Sequence, residues 1–150
     1  MLGRLIAEGI KGIGIAAAIV ALAIVFGISI ASGVLGFILL VLMSAGWAVV
    51  FAGYMQLIAL KTRSAAATNS AGLIFFPLLF LTPNFVPRDM LTHPMEIAAT
   101  INPVTYVMEG LRSLVLVDLN WTDILQGFAV VAVAGAVMLA LSVRMINHYD

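Results

Sequence analysis

The sequence predicts an all-α membrane protein with four transmembrane helices and a short external re-entrant helix pair before the last span. Of the 150 residues, 63% are hydrophobic and only 9% are charged, whereas a soluble domain carries about 25% charged residues. A chain with so little polar surface has a lipid bilayer as its natural solvent. In that solvent the backbone must satisfy its own hydrogen bonds, which favours helices.

Uncharged stretches mark the positions of the four spans. A helix needs about 20 apolar residues to cross the hydrocarbon core of a bilayer. The stretch between Lys11 and Lys61 has no charged residue and is long enough for two spans with a tight turn at 32–36, and the stretches 64–87 and 124–143 fit one span each. The predicted spans are residues 12–31, 35–60, 66–83 and 124–145.

The basic residues predict the orientation. With four spans both termini lie on one side of the membrane, and that side carries Arg4, Lys11, Lys61, Arg63 and Arg144. The other side has only Arg88 and Arg112. Because cytoplasmic loops are enriched in Lys and Arg, we expect a multi-pass protein of the plasma membrane with cytoplasmic N- and C-termini. The first apolar run is longer than the core of a signal peptide, about 7–15 residues, so we interpret it as an uncleaved span.

Two of the predicted spans contain features that would shape them. The second would reach about 40 Å at 1.5 Å per residue, which exceeds a hydrocarbon core of about 30 Å, so it should tilt or break. Gly46 and Gly53 share one of its faces, near Trp47 and Tyr54. Close packing of another helix is the first interpretation of this face, and a kink beside a substrate path is the alternative. Pro77 predicts a kink in the third span.

The stretch 81–112 concentrates the helix breakers, with four of the five prolines. Thr92 or His93 can cap a short helix that has Pro94 in its first turn. Asn102 followed by Pro103 is a start signal for a second helix. Both helices are too short to cross the bilayer, and irregular backbone at membrane depth is tolerated only against protein or a water-filled cavity. We therefore expect the segment 84–122 to form an external pair that lines a space containing water.

Several classes of function are disfavoured by the composition. The sequence has no cysteine and no P-loop, so it offers no thiolate metal site and no P-loop site for ATP hydrolysis. It also lacks the basic patch that nucleic acid would need. Its two histidines, His93 and His148, fall on opposite sides in the predicted topology, which disfavours a metal-dependent intramembrane enzyme. We expect no catalytic residue, no cofactor and no metal.

Two phrases of the sequence, FFPLLFLTPNFVPRDML and INPVTYVMEGLR, resemble the C-terminal signature of the type-2 ABC exporter permeases, in particular the daunorubicin- and multidrug-resistance branch. The resemblance covers chiefly residues 71–115. The matching residues are Pro77, Phe80, Leu81, Phe85, Val86, Pro87, Asn102, Pro103, Val104, Thr105, Tyr106 and Arg112. In that family two six-span permease subunits form the pathway and two cytoplasmic ATPase subunits drive it.

The resemblance implies that the four spans correspond to the last four of the family fold and that the first two are missing, so the chain would be a truncated product, a fragment or half of a split permease. It implies a permease subunit, or the C-terminal part of one, that exports a hydrophobic or amphipathic substrate such as a drug, antibiotic or lipid. The implied partners are a cytoplasmic ABC ATPase, a second permease copy and membrane lipid. In the family a cytoplasmic segment between the second and third spans couples the permease to the ATPase. Residues 1–11 would be the end of that segment, with Arg4, Glu8 and Lys11 as candidates to face the ATPase.

The external gate candidates are then Pro87, Asn102, Pro103, Tyr106, Glu109 and Arg112. Glu109 and Arg112 are three residues apart on the second short helix and can pair. The alternative for these two residues is a surface ion pair of little energetic value. The residues Gly46, Trp47, Gly53, Tyr54 and Pro77 are candidates for the pathway or for helix packing.

Two further functions remain as alternatives. A proton-coupled small multidrug transporter needs only four helices, but it also needs an ionisable residue inside the membrane. No such residue lies in the core of a predicted span, and Glu8 is expected at the cytoplasmic edge. A structural partner in a membrane complex is also compatible with the composition.

Overall fold

The computed structural model describes residues 2–27, 32–82, 90–116 and 119–146. Within these ranges the chain forms seven helices and no strand, which confirms the all-α class. The helices are α1 (Leu2–Val25), α2 (Gly33–Thr62), α3 (Ala65–Gly72), α4 (Phe75–Phe80), α5 (His93–Ile101), α6 (Pro103–Leu116) and α7 (Trp121–Ile146).

Helices α1 and α2 pack as an antiparallel hairpin. A Cβ atom on Gly9 would lie 3.2 Å from Val49 Cγ2, and one on Gly12 would lie 3.0 Å from Ala48 Cβ. The two backbones therefore approach closely at small residues, as is common between membrane helices. Helix α1 begins at Leu2 instead of at residue 12, because the charged residues before residue 12 are good helix formers.

Helix α2 is one unbroken helix of 30 residues, so the predicted second span does not break. It begins after Ser32 at Gly33, which has a φ of +61°. Glycine adopts this left-handed conformation readily, whereas a residue with a side chain would be strained in it. The Ser32 hydroxyl donates a hydrogen bond to the carbonyl of Leu114, which ties the start of α2 to the end of α6. At the other end Arg63 adopts the left-handed conformation with φ 49°, and its N–H donates to Ala59 O at 2.9 Å.

The predicted third span is divided into α3 and α4. The separating turn, at Leu73 and Ile74, is closed by short-range bonds from Leu73 N to Ser70 O at 3.1 Å and from Phe76 N to Leu73 O at 3.0 Å. Proline lacks an N–H and its ring clashes with the carbonyl four residues earlier. For Pro77 that carbonyl belongs to Leu73, so the helix is interrupted before Pro77 and resumes with Pro77 in its first turn.

The core lies where α1, α2, α6 and α7 meet. Its buried residues are Val20, Leu40, Met43, Val107, Leu114 and Ile124. Many large apolar side chains on the long helices are exposed instead, for example Ile19, Val34 and Leu125. Three helical stretches of the described chain are long and apolar enough to cross a membrane, namely Ile6–Val25, Gly33–Thr62 and Trp121–Met145, with a shorter apolar stretch at Ala65–Phe80. An apolar outer surface over such helices is what lipid contact requires.

Candidate functional site

The junction between α5 and α6 is organised by Asn102, whose side chain is almost fully buried. Its backbone N–H donates to Ala98 O at 3.1 Å and so ends α5. Its Oδ1 accepts a hydrogen bond from Val104 N at 3.0 Å and caps α6, and its Nδ2 donates to Leu78 O of α4 at 2.7 Å. One asparagine therefore connects three helices.

The sequence signals around this junction have clear structural counterparts. Pro103 occupies the first position of α6, where the N–H that proline lacks would have no helical partner. Helix α5 follows Thr92 and carries Pro94 in its first turn, but the Thr92 side chain makes no capping hydrogen bond. Tyr106 reaches back across the junction, because its hydroxyl donates to Thr100 O at 2.8 Å. Asn102 and Tyr106 thus hold α5 and α6 in a fixed relation.

Helix α6 is buried deeply against α2 and α7. A Cβ on Gly110 would meet Asp123 O at 3.1 Å, and one on Gly127 would meet Tyr106 O at 3.1 Å. The Met43 side chain fills the remaining space, because its Cε would lie 3.0 Å from either added Cβ. Sequence reasoning missed this contact of α6 with α7. The two glycines were its only sequence signal.

The connection from α6 to α7 is also held by polar side chains that the sequence reasoning did not single out. The Asn120 N–H donates to Ser113 Oγ at 3.0 Å, and Asn120 Oδ1 accepts from Thr122 N at 3.1 Å. Asn120 Nδ2 donates to Asp123 Oδ2 at 2.9 Å. Asn120 is therefore the cap of α7, as Asn102 is the cap of α6. Thr105 Oγ1, on the buried face of α6, has no hydrogen-bond partner among the described residues.

The glycine face of α2 packs against α7. A Cβ on Gly46 would lie 2.7 Å from Val131 Cγ1, and one on Gly53 would lie 3.2 Å from Met138 Cβ. Helix α2 continues through both glycines. Both positions pack closely against α7, and a further role of this face beside a substrate path stays a prediction.

Trp47, Tyr54 and Pro77 lie around the start of α4. The ring of Phe75 contacts three aromatic rings of α2 edge-on, with centroid distances of 6.3 Å to Trp47, 4.9 Å to Phe51 and 5.2 Å to Tyr54. The Tyr54 hydroxyl donates to Ala71 O of α3 at 3.4 Å. The aromatic face of α2 thus holds the turn that precedes Pro77.

A cavity of about 310 Å³ opens between the N-terminal part of α1, the second half of α2, and α3. Its polar lining groups are Glu8, Gln56 and Thr68, and Phe51 and Met55 contribute apolar surface. Gln56 Oε1 is buried and has no hydrogen-bond partner among the described residues. The sequence did not indicate this cavity, because it depends on the register between α1 and α2.

Glu8 lies near the start of the membrane-length stretch Ile6–Val25 and lines the cavity beside Phe51 of α2. Its Oε1 accepts from Lys11 Nζ at 3.0 Å. The position of Glu8 at the cytoplasmic edge of the membrane stays a prediction. The role of Glu8 and Lys11 in facing an ATPase stays a prediction, and the side chain of Arg4 lies outside the described part of the chain.

The remaining gate candidates are placed as follows. Pro87 lies outside the described residues. Glu109 is half-buried and Arg112 is exposed, both on α6, and their pairing stays a prediction. Asn102, Pro103 and Tyr106 are brought together by the structure, whereas the arginine lies farther along the same helix.

These features define an all-α membrane protein in which the proline-initiated helix α6 packs against long apolar ones. A family model described as ABC-2 family transporter protein matches residues 1–144. The chain therefore belongs to the ABC-2 transporter family, which confirms the family to which the two sequence phrases pointed. It is a membrane permease subunit of an ABC transporter, a class that associates with an ABC ATPase. Comparison with curated proteins and with solved structures gave no match.

Proposed function

We propose that this chain forms the pathway of an ATP-driven exporter and moves a hydrophobic or amphipathic molecule, such as a drug, an antibiotic or a lipid, out of the cytoplasm. The observation that carries the proposal is the three-helix junction at Asn102, where the proline-broken third span meets the α5–α6 pair. The family match supports the permease role. We call α5, α6 and the Asn102 junction the external gate.

In the proposed mechanism, α4 transmits the movement of the long helices to the external gate. A separate ABC ATPase binds and hydrolyses ATP at the cytoplasmic face, and its closure shifts the long helices. Because Asn102 binds the carbonyl of Leu78 on α4 as well as the start of α6, a displacement of α4 reaches the gate directly. The turn at Leu73 and Ile74 separates α4 from α3.

The proposed assembly contains two copies of the permease or a related second chain, surrounded by lipid. The exposed apolar side chains of α1 and α7, such as Ile15, Leu125 and Val133, support an environment of lipid or of a second membrane chain. We also propose four spans, with cytoplasmic N- and C-termini and an external gate. The positive-inside distribution of the basic residues supports this orientation.

A proton-coupled transporter is the second candidate function, and one observation favours it more than the sequence did. Glu8 lies inside a membrane-length helix and faces a cavity, and an intramembrane carboxylate is a common site of proton exchange. Membership in the ABC-2 family favours the ATP-driven mechanism over it.

The test is an affinity pull-down of the full chain from detergent-solubilised native membranes, followed by mass spectrometry. We expect an ATPase with a P-loop to copurify, in a quantity that matches the permease. The control is a tagged, unrelated membrane protein of similar size and abundance. Recovery of the chain without any P-loop ATPase, from membranes in which it remains folded, would contradict the proposal.

A further inference from the structure

Thr105 places a hydroxyl group in the protein interior without a hydrogen bond. The residue is fully buried, and its Oγ1 has no hydrogen-bond partner among the described residues. Oγ1 also presents almost no surface to any space that a water molecule can enter, so water does not satisfy it in this conformation. Buried polar groups are normally bonded, and one that is not lowers the stability of the state that contains it. The structure therefore shows Thr105 in a state that does not use its hydroxyl.

The position of Thr105 on α6 is adjacent to that of Asn102. The Thr105 N–H donates to Asn102 O at 3.1 Å, which closes the first turn. Residues three apart on a helix are neighbours, and at the start of a helix the side chain of the third residue can reach back to the capping residue. In the structure the Asn102 Nδ2 donates to Leu78 O at 2.7 Å instead. The Thr105 hydroxyl is thus an unused acceptor next to a donor that is engaged elsewhere.

Helix α4 depends on Asn102 for one bond of its C-terminal end. The helix has six residues, and a helix this short is not stable in isolation. Leu79 O accepts from Thr82 Oγ1 at 2.6 Å within the same end of the helix, whereas Leu78 O is bonded by Asn102 of another helix. Movement of α4 away from α6 leaves Leu78 O and Asn102 Nδ2 without partners. Water can satisfy a carbonyl at a helix end, but the buried amide needs an acceptor from the protein.

We propose that Thr105 Oγ1 is the second acceptor for Asn102 Nδ2, so that Asn102 exchanges Leu78 O for Thr105 Oγ1 when α4 leaves α6. In the docked state, which the structure shows, Asn102 binds α4 and the Thr105 hydroxyl is unpaired. In the released state the hydroxyl is paired and α4 is free to move. Because the amide keeps one hydrogen bond in each state, the exchange lowers the free energy of release. Thr105 is a positioning residue that acts through Asn102. Its use in the external gate rests on the proposed function, whereas the exchange of partners does not.

The experiment measures hydrogen–deuterium exchange of the purified full chain in detergent by mass spectrometry. The amides of residues 78–82 report the release of α4, because their exchange follows the population of the locally opened state. The amides of α7 are the reference for global unfolding. Thr105→Val keeps the shape of the side chain and removes the hydroxyl. We expect exchange at residues 78–82 to slow by about three- to tenfold, since the released state loses a hydrogen bond and the docked state loses none.

Three further variants test whether the effect passes through the hydroxyl and Asn102. Thr105→Ser keeps the hydroxyl, so exchange in α4 should stay within about twofold of the wild type. Thr100→Val is the matched control on α5, where the exposed hydroxyl donates to Glu96 O at 2.8 Å, and it should leave exchange in α4 unchanged. Asn102→Ala removes the amide, so the addition of Thr105→Val to it should slow exchange no further. Such non-additivity is expected of two residues that act through one hydrogen bond.

Three results would overturn the proposal. They are equal exchange in α4 of the wild type and Thr105→Val, equal slowing by Thr105→Val with and without Asn102→Ala, and uniform slowing in α4 and α7, which is what a purely structural role predicts. Melting temperatures confirm that each variant is folded.

The link to export is measured on the complex with the copurified ATPase, in which ATP should speed exchange in α4 of the wild type more than in Thr105→Val. Slower exchange in Thr105→Val from a chain that no ATPase accompanies would retain the partner exchange and refute its role in ATP-driven export. An ATPase that copurifies with a chain whose α4 exchange is unaffected by Thr105→Val would do the reverse.

Discussion

At the scale of single residues, Asn102 is the clearest link between sequence and architecture. Its carboxamide both caps α6 and bridges to α4, and its backbone ends α5. A buried amide that is satisfied on both of its polar atoms is strongly constrained in position. The sequence signal Asn-Pro predicted the cap, because capping is a local interaction. The bridge to Leu78 was not predictable, since it joins residues far apart in the chain.

Two substitutions of Asn102 distinguish the hydrogen bond that caps α6 from the hydrogen bond to Leu78 O of α4. Asn102→Ala removes both hydrogen bonds, and we expect a loss of about 1–3 kcal/mol of stability and an export rate lower by about tenfold, with normal membrane insertion. Asn102→Asp keeps the acceptor for Val104 N and loses the donor to Leu78 O, so its export should also fall. The measurements are transport into inverted membrane vesicles that contain the partner ATPase, and immunoblots of the membrane fraction.

Asn120→Ala is the matched control for the Asn102 variants. Asn120 caps α7 in the same way, but among the described residues its side chain bonds to the first turn of its own helix and to no other helix. We expect a stability loss of about 1 kcal/mol and an export rate near that of the wild type. Equal export by Asn102→Ala and the wild type would contradict the role of the junction in the gate.

At the scale of helices, Pro77 sets the division between α3 and α4. Pro77→Ala supplies the missing N–H and removes the clash with Leu73 O, so we expect one continuous helix from residue 65 to residue 80. Proline disfavours a helix that continues through it by about 3 kcal/mol, so the straight helix becomes accessible once Pro77 is replaced. Its export should nevertheless fall, because Leu78 O then moves away from Asn102.

Spin labels at Ala66→Cys and Leu81→Cys measure this change by electron–electron double resonance. We expect the distance between the labels to increase toward the length of a straight helix, about 22 Å at 1.5 Å per residue. Pro94→Ala is the control, since Pro94 lies in the first turn of α5, where its N–H is not required. An unchanged distance in Pro77→Ala would show that the turn at Leu73 and Ile74 is fixed by the aromatic contacts of Phe75 instead.

The helices were predictable to different extents, for physical reasons. Helices α5, α6 and α7 begin close to the expected residues, because prolines and asparagines act on the adjacent turn. Helix α1 starts at Leu2 because charged residues end a hydrophobic stretch without ending a helix. The interruption of the third span was expected at Pro77 and lies at Leu73 and Ile74, since proline acts on the preceding turn.

The candidate site was less accessible to sequence reasoning than the helices. Glu8 and Gln56 come together only through the register of α1 on α2, which is set by small residues such as Gly9 and Gly12. Hydropathy locates spans but carries no information on which faces meet. The cavity could therefore be found only from the structure, whereas Asn102 and Pro103 were identified from a short sequence motif.

At the scale of the whole molecule, the small polar content and the exposed apolar surface require a bilayer, and the basic residues favour one orientation. The sequence contains no cysteine, so single cysteines report their location without interference. We expect a membrane-impermeant maleimide to label Thr92→Cys in intact cells and Thr62→Cys only after permeabilisation. Both positions are exposed in the structure. The opposite labelling pattern would place the gate on the cytoplasmic side.

The contact of Met43 with Gly110 and Gly127 limits how the family can vary. Each glycine lies about 3.0 Å, measured from an added Cβ, from the same methionine Cε. A methyl group at either position would displace the Met43 side chain and would also meet a backbone oxygen at 3.1 Å, Asp123 O for Gly110 and Tyr106 O for Gly127. In an alignment of homologues we therefore expect positions 110 and 127 to stay glycine, with a long flexible side chain at position 43. The three helices would then vary as one packed unit, although their residues are distant along the chain.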